Sequence, residues 1–266
     1  MPHVISADGT RIAYTATGSG PALIYVMGAT AYRAVDQLAG PLADALGDRF
    51  TVIAYDRRGR GESGDTLPYA VEREIEDIAA LINAAGGRAH LFGLSSGAVL
   101  ATEATAAGLP VDRLALYEPP FVTDATVFPP PPADYIETLD GFTARGDKGG
   151  AVAYFMSTVG VPPEQIDGMR ASPFWPMMEP IGPTIAYDGR IMFGAYYTAH
   201  RFPDRWQRIT QPTLVINGDA SFPFIPAAAV AVTAALPNAA HRVLPGQGHG
   251  PAVDALAPIL AEFLVD

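Results

Sequence analysis

The sequence contains no cysteine and a single lysine, and both scarcities restrict the chemistry available to it. Without cysteine the chain has no disulfide, no cysteine nucleophile and no thiolate metal site, and this composition fits a reducing compartment. The one lysine, Lys148, lies in the glycine-flanked run GDKGG at residues 146–150. Such a loop pattern argues against a buried lysine that forms a Schiff base.

Positive charge is also scarce, because 17 Lys and Arg face 28 Asp and Glu, for a net charge of −11. This balance argues against nucleic acid or an anionic membrane surface as a partner, since both require clustered basic residues. The longest Ala/Val-rich run, residues 227–236, is too short to span a bilayer. The first residues show no basic segment followed by an apolar one, so no secretory signal is predicted. We expect a cytoplasmic protein.

Short β-rich runs alternate with helical patterns over much of the 266 residues, which predicts an α/β fold with a mostly parallel central sheet flanked by helices. The predicted strands are residues 11–15, 22–27, 50–55, 89–94, 114–117, 212–217 and 241–244. The predicted helices are residues 34–46, 71–85, 99–107, 226–236 and 253–264. The alternation stops between residues 119 and 206, a stretch with four consecutive prolines and five of the seven methionines. We therefore predict a core of residues 1–118 and 207–266, with residues 119–206 inserted as a helical cap.

The run GLSSG at residues 93–97 is the strongest chemical signal in the chain. It stands between a predicted strand and a predicted helix, with Ser95 at the apex of a sharp turn. Only small residues at the flanking positions allow so tight a turn. The turn exposes the Ser95 hydroxyl and directs the Ser96 N–H, at a helix N-terminus, toward the same point. A nucleophile beside a donor that stabilises an anion is the central requirement of acyl transfer.

Serine needs a base, and His249 is the best placed of the five histidines. It lies in a glycine-rich loop between the last predicted strand and the last helix, at the sheet edge where α/β folds bind ligands. The other histidines, His3, His90, His200 and His241, lie near the terminus, within strands or at the end of the cap.

Together these motifs resemble the α/β-hydrolase superfamily, and the resemblance covers nearly the whole chain outside the cap. In that family the end of an early strand supplies a second oxyanion donor, which the resemblance assigns here to the Ala29 N–H beside that of Ser96. The run DRRGRGES at residues 56–63 matches the family's D-x-R-G-x-G-x-S turn, which is largely structural. The resemblance implies a serine nucleophile, and no cofactor or metal.

The acid of the triad departs from the common pattern of the family. Its usual slot, three residues after the glycine that ends the penultimate strand, holds Ser221. Two candidates remain: Glu118, at the end of the strand after the serine helix, and Asp219, in the usual loop but at the wrong offset. Some α/β-hydrolases take their acid from the position of Glu118, and we favour it over Asp219. Asp219 has the alternative role of a turn former.

The aromatic content of the cap predicts an apolar pocket for a bulky, poorly charged substrate. Part of that content must form the cap's own core, but Phe121, Trp175 and Met178 are predicted substrate contacts. The favoured function is a serine hydrolase that cleaves an ester or lactone of a hydrophobic small molecule. The alternatives are a C–C bond hydrolase, a non-hydrolytic enzyme of the cyclase or lyase type, and a binding protein without catalysis.

Overall fold

A single sheet organises the protein in the computed structural model, which describes residues 2–194 and 202–265. Eight strands in these ranges are ordered β1-β2-β4-β3-β5-β6-β7-β8, with β1 and β2 antiparallel to their neighbours and the other pairs parallel. They are β1 (His3–Ile5), β2 (Arg11–Gly18), β3 (Ala22–Val26), β4 (Thr51–Tyr55), β5 (Ala89–Leu94), β6 (Val111–Tyr117), β7 (Thr213–Gly218) and β8 (Ala239–Leu244).

Helices cover both faces of this sheet. The described helices are α1 (Ala39–Leu46), α2 (Val71–Ala84), α3 (Ser96–Ala106), α4 (Tyr135–Ala144), α5 (Lys148–Thr158), α6 (Pro163–Arg170), α7 (Trp175–Met178), α8 (Ile185–Gly194), α9 (Ile225–Ala235) and α10 (Val253–Val265). One core joins α2, α3 and α9 to the sheet, and a second joins α1 and α10 to its other face. The predicted α/β fold is confirmed, with layers that leave the central strands buried on both sides. Within the described ranges, no helix is both long and apolar enough to cross a bilayer.

The segment between β6 and β7 contains α4 to α8 and no strand among its described residues. These helices share a third apolar core, built around Leu139, Val152 and Ile185, separate from the two cores of the sheet. This core accommodates aromatic residues such as Tyr135 and Trp175, whereas Phe121, Phe202 and Trp206 pack into a core of the sheet.

Two local predictions differ from the structure. The helix predicted from residue 34 begins only at Ala39, because the Asp36 carboxylate accepts the Leu38 and Ala39 N–H groups at 2.9 and 2.6 Å and fixes the helix start there. The strand β1 was not predicted, since its three residues are too short and too exposed to give a pattern.

Candidate active site

Ser95 occupies a strained turn between β5 and α3. Its backbone has φ 58° and ψ −129°, a conformation that residues other than glycine rarely adopt. Its N–H donates to the Tyr117 carbonyl of the neighbouring strand at 2.9 Å. A serine held this way stands above the carboxyl end of the sheet. The surrounding structure maintains the strain, which is typical of functional positions.

The glycines on either side of Ser95 are required by close packing. A Cβ built at Gly97 would lie 2.1 Å from the Val26 carbonyl oxygen, and one at Gly93 would lie 2.5 Å from the Ala98 Cα. Both distances are shorter than real contacts allow, because α3 presses directly against β3 and β5. The structural reason for the GLSSG run is therefore the one expected from the sequence.

The loop after β3 reaches the same point. A Cβ at Gly28 would come within 3.1 Å of the Ser95 Cβ, so this loop lies against the serine. Gly28, Ala29, Ser95 and Ser96 all line one cavity. The Ser96 N–H is in the first turn of α3, where N–H groups have no partner within the helix. The two predicted oxyanion donors thus flank the cavity beside Ser95.

Glu118 contacts His249 directly, as a triad acid would. The Glu118 Oε2 lies 2.6 Å from the His249 Nδ1, although the residues are 131 positions apart. The Glu118 side chain is fully buried and the imidazole is about one-third exposed. Glu118 takes a left-handed backbone conformation, φ 49°, and its N–H donates to the Ile216 carbonyl, which directs the carboxylate along the edge of the sheet.

Two donors besides His249 hold the Glu118 carboxylate. The Gly218 N–H donates to its Oε1 at 2.8 Å, and the Ser221 hydroxyl donates to its Oε2 at 2.6 Å. Ser221, in the usual acid slot, therefore contacts the carboxylate that reaches in from the other strand. Asp219 is exposed and accepts the Gly246 N–H at 2.6 Å, the contact of a turn former.

A hydrogen bond from the end of β6 holds the loop that carries His249. The Tyr117 hydroxyl donates to the Gly248 carbonyl at 2.6 Å. Burial, and secondarily the charge of Glu118, raises the pKa of Tyr117, which keeps this hydroxyl protonated as a donor. The ring of Phe222 meets the His249 imidazole edge-on at 5.5 Å between centroids. The imidazole is thus held on two sides and open to the cavity on another.

The other histidines that the structure describes do not join this site. His3 is exposed at the terminus, His90 is buried within β5, and the His241 Nε2 lies 2.6 Å from the Asn217 Oδ1 on the neighbouring strand. His200 lies outside the described residues. Among the described residues, no cluster of three or more His, Asp or Glu could hold a metal ion.

A cavity of about 660 Å³ opens over Ser95 and His249. Its walls come from the cap, from the loop after β3 and from the loops before α9 and α10. Most of them are apolar, including Phe128, Pro129, Tyr135, Phe155, Met192 and Phe224. No lysine or arginine lines it in the part of the chain that the structure describes.

The predicted substrate contacts need correction, because none of the three residues lines this cavity. Phe121 is fully buried in a core of the sheet, against Phe202 and Trp206. Trp175 and Met178 belong to the cap core. Their hydrophobicity serves packing inside the protein. The run of four prolines at residues 129–132 contributes Pro129 and Pro131 to the cavity wall.

Sequence reasoning missed Asp188, which lies on α8 at the edge of the cavity. Its buried carboxylate accepts the Ser96 hydroxyl at 2.7 Å and pairs with Arg57 and Arg60 from the turn after β4. Burial alone would raise the pKa of Asp188, but the two guanidinium groups outweigh it and lower this pKa below its usual range. One signal for it was available in the sequence. The DRRGRGES run places three arginines in a turn that is buried in the fold, and buried cations require carboxylate partners.

Comparison with known proteins agrees with this architecture. The model of the alpha/beta hydrolase family matches residues 18–262. A solved alpha/beta hydrolase from Sphaerobacter thermophilus DSM 20745 shares 48% identity, covers 99% of this chain and 100% of its own, and superposes with a TM-score of 0.90. The 2-(acetamidomethylene)succinate hydrolase of Mesorhizobium japonicum is 30% identical over 246 residues, and the match covers 87% of this chain and 82% of that protein.

A thermophilic esterase from Thermogutta terrifontis has the same fold at 23% identity, with a TM-score of 0.71 over 99% of this chain and 97% of its own. The family match spans most of the sequence, and the named relatives are hydrolases. This chain belongs to the alpha/beta hydrolase family and is a hydrolytic enzyme.

Proposed function

We propose that this enzyme is a serine hydrolase that cleaves an ester or lactone of a hydrophobic small molecule through an acyl-enzyme on Ser95. One observation carries the proposal: the Glu118 carboxylate is 2.6 Å from the His249 Nδ1, while His249 and Ser95 line the same apolar cavity. A carboxylate on Nδ1 fixes the tautomer that leaves Nε2 free to accept a proton, and it stabilises the imidazolium that follows.

The reaction then proceeds in two balanced halves. The Ser95 Oγ attacks the ester carbonyl carbon and its proton passes to the His249 Nε2, while the carbonyl electron pair becomes an oxyanion facing the Ala29 and Ser96 N–H groups. The oxyanion collapses, the C–O bond to the alcohol breaks, and the alkoxide takes the proton from Nε2. Water then attacks the acyl carbon and gives a proton to the His249 Nε2. The second oxyanion collapses, the bond to the Ser95 Oγ breaks, and Ser95 takes that proton back as the acid leaves.

The cavity favours a neutral and largely apolar acyl group. A cavity of about 660 Å³ accommodates a ring system or a medium-length chain, and its aromatic and proline walls offer few hydrogen bonds. The relative from Mesorhizobium japonicum is named for a succinate, which carries two carboxylates. Among the described residues, the cavity wall here has no cation to pair with such groups and includes the carboxylate of Asp36. We therefore infer a different substrate charge for this enzyme.

The proposal is tested with a panel of p-nitrophenyl esters from acetate to decanoate, aliphatic and aryl lactones, and matched esters that carry a second carboxylate. We expect turnover that rises with apolar acyl size and falls when the carboxylate is added. In H₂¹⁸O the acid product should gain one ¹⁸O, and rapid quenching should trap the acyl group on the protein by intact mass.

Ser95→Ala should abolish both turnover and the trapped adduct. Ser157→Ala removes a serine hydroxyl from α5 of the cap, whose contact is with the local Tyr154 carbonyl, and serves as the matched control with unchanged activity. Absence of turnover on every ester and lactone by folded enzyme, or an adduct that persists in Ser95→Ala, would refute the proposal.

A further inference from the structure

The cap and the turn after β4 share a buried charge cluster directly behind the predicted oxyanion hole. We call Arg57, Arg60, Glu74 and Asp188 the buried tetrad. All four residues are 3% exposed or less. With two cations and two anions the tetrad is neutral, so its charges are compensated without water.

Arg60 contacts the loop that carries Ala29. Its Nη1 donates to the Gly28 carbonyl at 2.7 Å. The Gly28 carbonyl and the Ala29 N–H belong to one planar peptide unit and point in opposite directions. A donor fixed on the carbonyl therefore sets the direction of the Ala29 N–H. It also polarises the peptide and makes this N–H a stronger donor.

Asp188 contacts the other predicted donor residue. The Ser96 hydroxyl donates to the Asp188 Oδ1 at 2.7 Å, and this contact holds the side chain of a residue that lines the cavity. The Asp188 Oδ2 pairs with Arg60, and its Oδ1 pairs with the Arg57 Nη1 at 2.5 Å. The Asp188 carboxylate thus links Arg60, which contacts the peptide of the Ala29 N–H, to Ser96, which carries the other predicted oxyanion donor.

The remaining contacts prevent the tetrad from moving. Glu74 binds Arg57 through both carboxylate oxygens at 2.7 Å, a paired geometry that fixes the guanidinium plane. The hydroxyl of Thr184, at the end of the short helical segment that precedes α8, accepts the Arg60 Nε–H at 2.9 Å. Arg57 and Arg60 stand at two x positions of the D-x-R-G-x-G-x-S turn, which the family pattern leaves unspecified.

We infer that Asp188 and Arg60 are positioning residues for the oxyanion hole, so that a carboxylate of the cap orients donors of the core. Asp188 lies on the cap helix α8, whereas both donors belong to the core. The inference rests on the proposed function, because the oxyanion it concerns is the tetrahedral intermediate of ester or lactone hydrolysis. It predicts that the tetrad acts on the transition state and leaves binding of the neutral ester unchanged.

The test compares wild type with Asp188→Asn and Ser96→Ala, using the best neutral ester and a trifluoromethyl ketone of the same acyl group, which forms a tetrahedral oxyanion on the serine. Titration of active sites with a fluorophosphonate, read by intact mass, corrects for any unfolded fraction. Asp188→Asn should lower kcat about 10- to 100-fold with KM within threefold, because a misdirected donor loses part of the 10²- to 10³-fold contribution of an intact one.

Ser96→Ala keeps the tetrad and the backbone N–H, and it removes only the hydrogen bond between the Ser96 hydroxyl and Asp188. This variant therefore tests the inference even if Asp188→Asn folds poorly. It should lower kcat about 3- to 10-fold. In both variants the inhibition constant of the ketone should rise by the same factor as kcat falls, whereas KM stays constant. Asp140→Asn is the matched control, because Asp140 pairs with Arg190 of α8 at the exposed side of the cap, and its kinetics should match wild type.

Equal kcat per titrated site in wild type, Asp188→Asn and Ser96→Ala would overturn the inference. So would a loss confined to KM or to thermal stability. If wild type itself shows neither labelling nor ester turnover, it is the proposed serine hydrolase that fails, and this outcome is distinct from the previous two.

Discussion

The two sides of Ser95 use the same device, a buried carboxylate that gathers three donors, but for different purposes. On the histidine side Glu118 accepts from Gly218, Ser221 and His249, with no guanidinium among these partners. On the oxyanion side Asp188 accepts from Arg57, Arg60 and Ser96. Two guanidinium groups hold Asp188, whereas in the proposed mechanism Glu118 faces the histidine that accepts and returns the serine proton.

This difference teaches what each carboxylate can do. A carboxylate between two buried guanidiniums is a structural anion, and its function is to hold neighbouring groups in direction. A carboxylate held by neutral donors keeps its charge available to stabilise an imidazolium as it forms. We therefore expect variants on the histidine side to affect proton transfer and variants on the oxyanion side to affect stabilisation of the tetrahedral intermediate.

The largest expected effect comes from breaking the histidine side at its carboxylate. Glu118→Gln should lower kcat about 10³- to 10⁴-fold, because a neutral amide neither fixes the required tautomer nor stabilises the imidazolium. Asp219→Asn, a matched change on the neighbouring loop, should stay within about twofold of wild type, since Asp219 contacts the Gly246 N–H. Steady-state hydrolysis of the best ester measures both, and the opposite ranking would assign the acid to Asp219.

The second prediction tests whether an acid at position 221, the usual position in the family, can replace Glu118. The Ser221 hydroxyl and the His249 Nδ1 each lie 2.6 Å from the same Glu118 oxygen, so a carboxylate at position 221 can approach the imidazole. In the Glu118→Gln background, Ser221→Asp should recover about tenfold or more in kcat. Ser221→Asn in that background is the control, and equal activity of the two double variants would contradict the prediction.

A smaller effect is expected from Ser221 in the wild-type background. Ser221→Ala removes one hydrogen bond to the charged Glu118 carboxylate and should lower kcat about 3- to 10-fold, which corresponds to about 1 kcal/mol. KM should not change, because Ser221 acts through Glu118. A pH profile of kcat whose acidic limb shifts in Ser221→Ala would support this positioning role, and an unchanged profile with unchanged kcat would exclude it.

The smallest effect concerns acid stability on the oxyanion side. The folded-state pKa of Asp188 is lowered, so its carboxylate stabilises the fold above its unfolded pKa of about 3.9, and this contribution is lost as the pH falls through the folded value. The difference in unfolding free energy between wild type and Asp188→Asn should therefore narrow below about pH 4. Denaturant titrations at pH 7, 5, 4 and 3 measure it. A difference that stays constant over this range would contradict the predicted loss.

The elements of the core were predictable because local chemistry determines them. The GLSSG turn, the parallel strands and the loop position of His249 depend on residue size and hydrophobic pattern within a few positions. Glu118 could also be predicted, by a longer argument, because the order of elements in the chain places the end of its strand beside the serine turn. Its contact with Ser221 depends on the pairing of β6 with β7, which the sequence does not display.

The cap was less predictable because an apolar residue packs equally well into a cap core or a cavity wall. Trp175 and Met178 belong to the first, and Phe128 and Pro129 to the second. Helical periodicity does not distinguish these surfaces when both are covered by the protein. Asp188 escaped prediction for a related reason, because its partners are about 130 residues away in the turn after β4.

The most direct test of the central claim is the rate at which a fluorophosphonate labels Ser95, followed by intact mass in wild type, Ser95→Ala, Glu118→Gln and Asp219→Asn. The triad of Ser95, His249 and Glu118 predicts rapid labelling at one site in wild type and none in Ser95→Ala. It also predicts slowing of about 10²-fold or more in Glu118→Gln and a wild-type rate in Asp219→Asn. Unchanged labelling of Glu118→Gln, or wild-type enzyme that accepts the probe into its cavity without reacting, would contradict it.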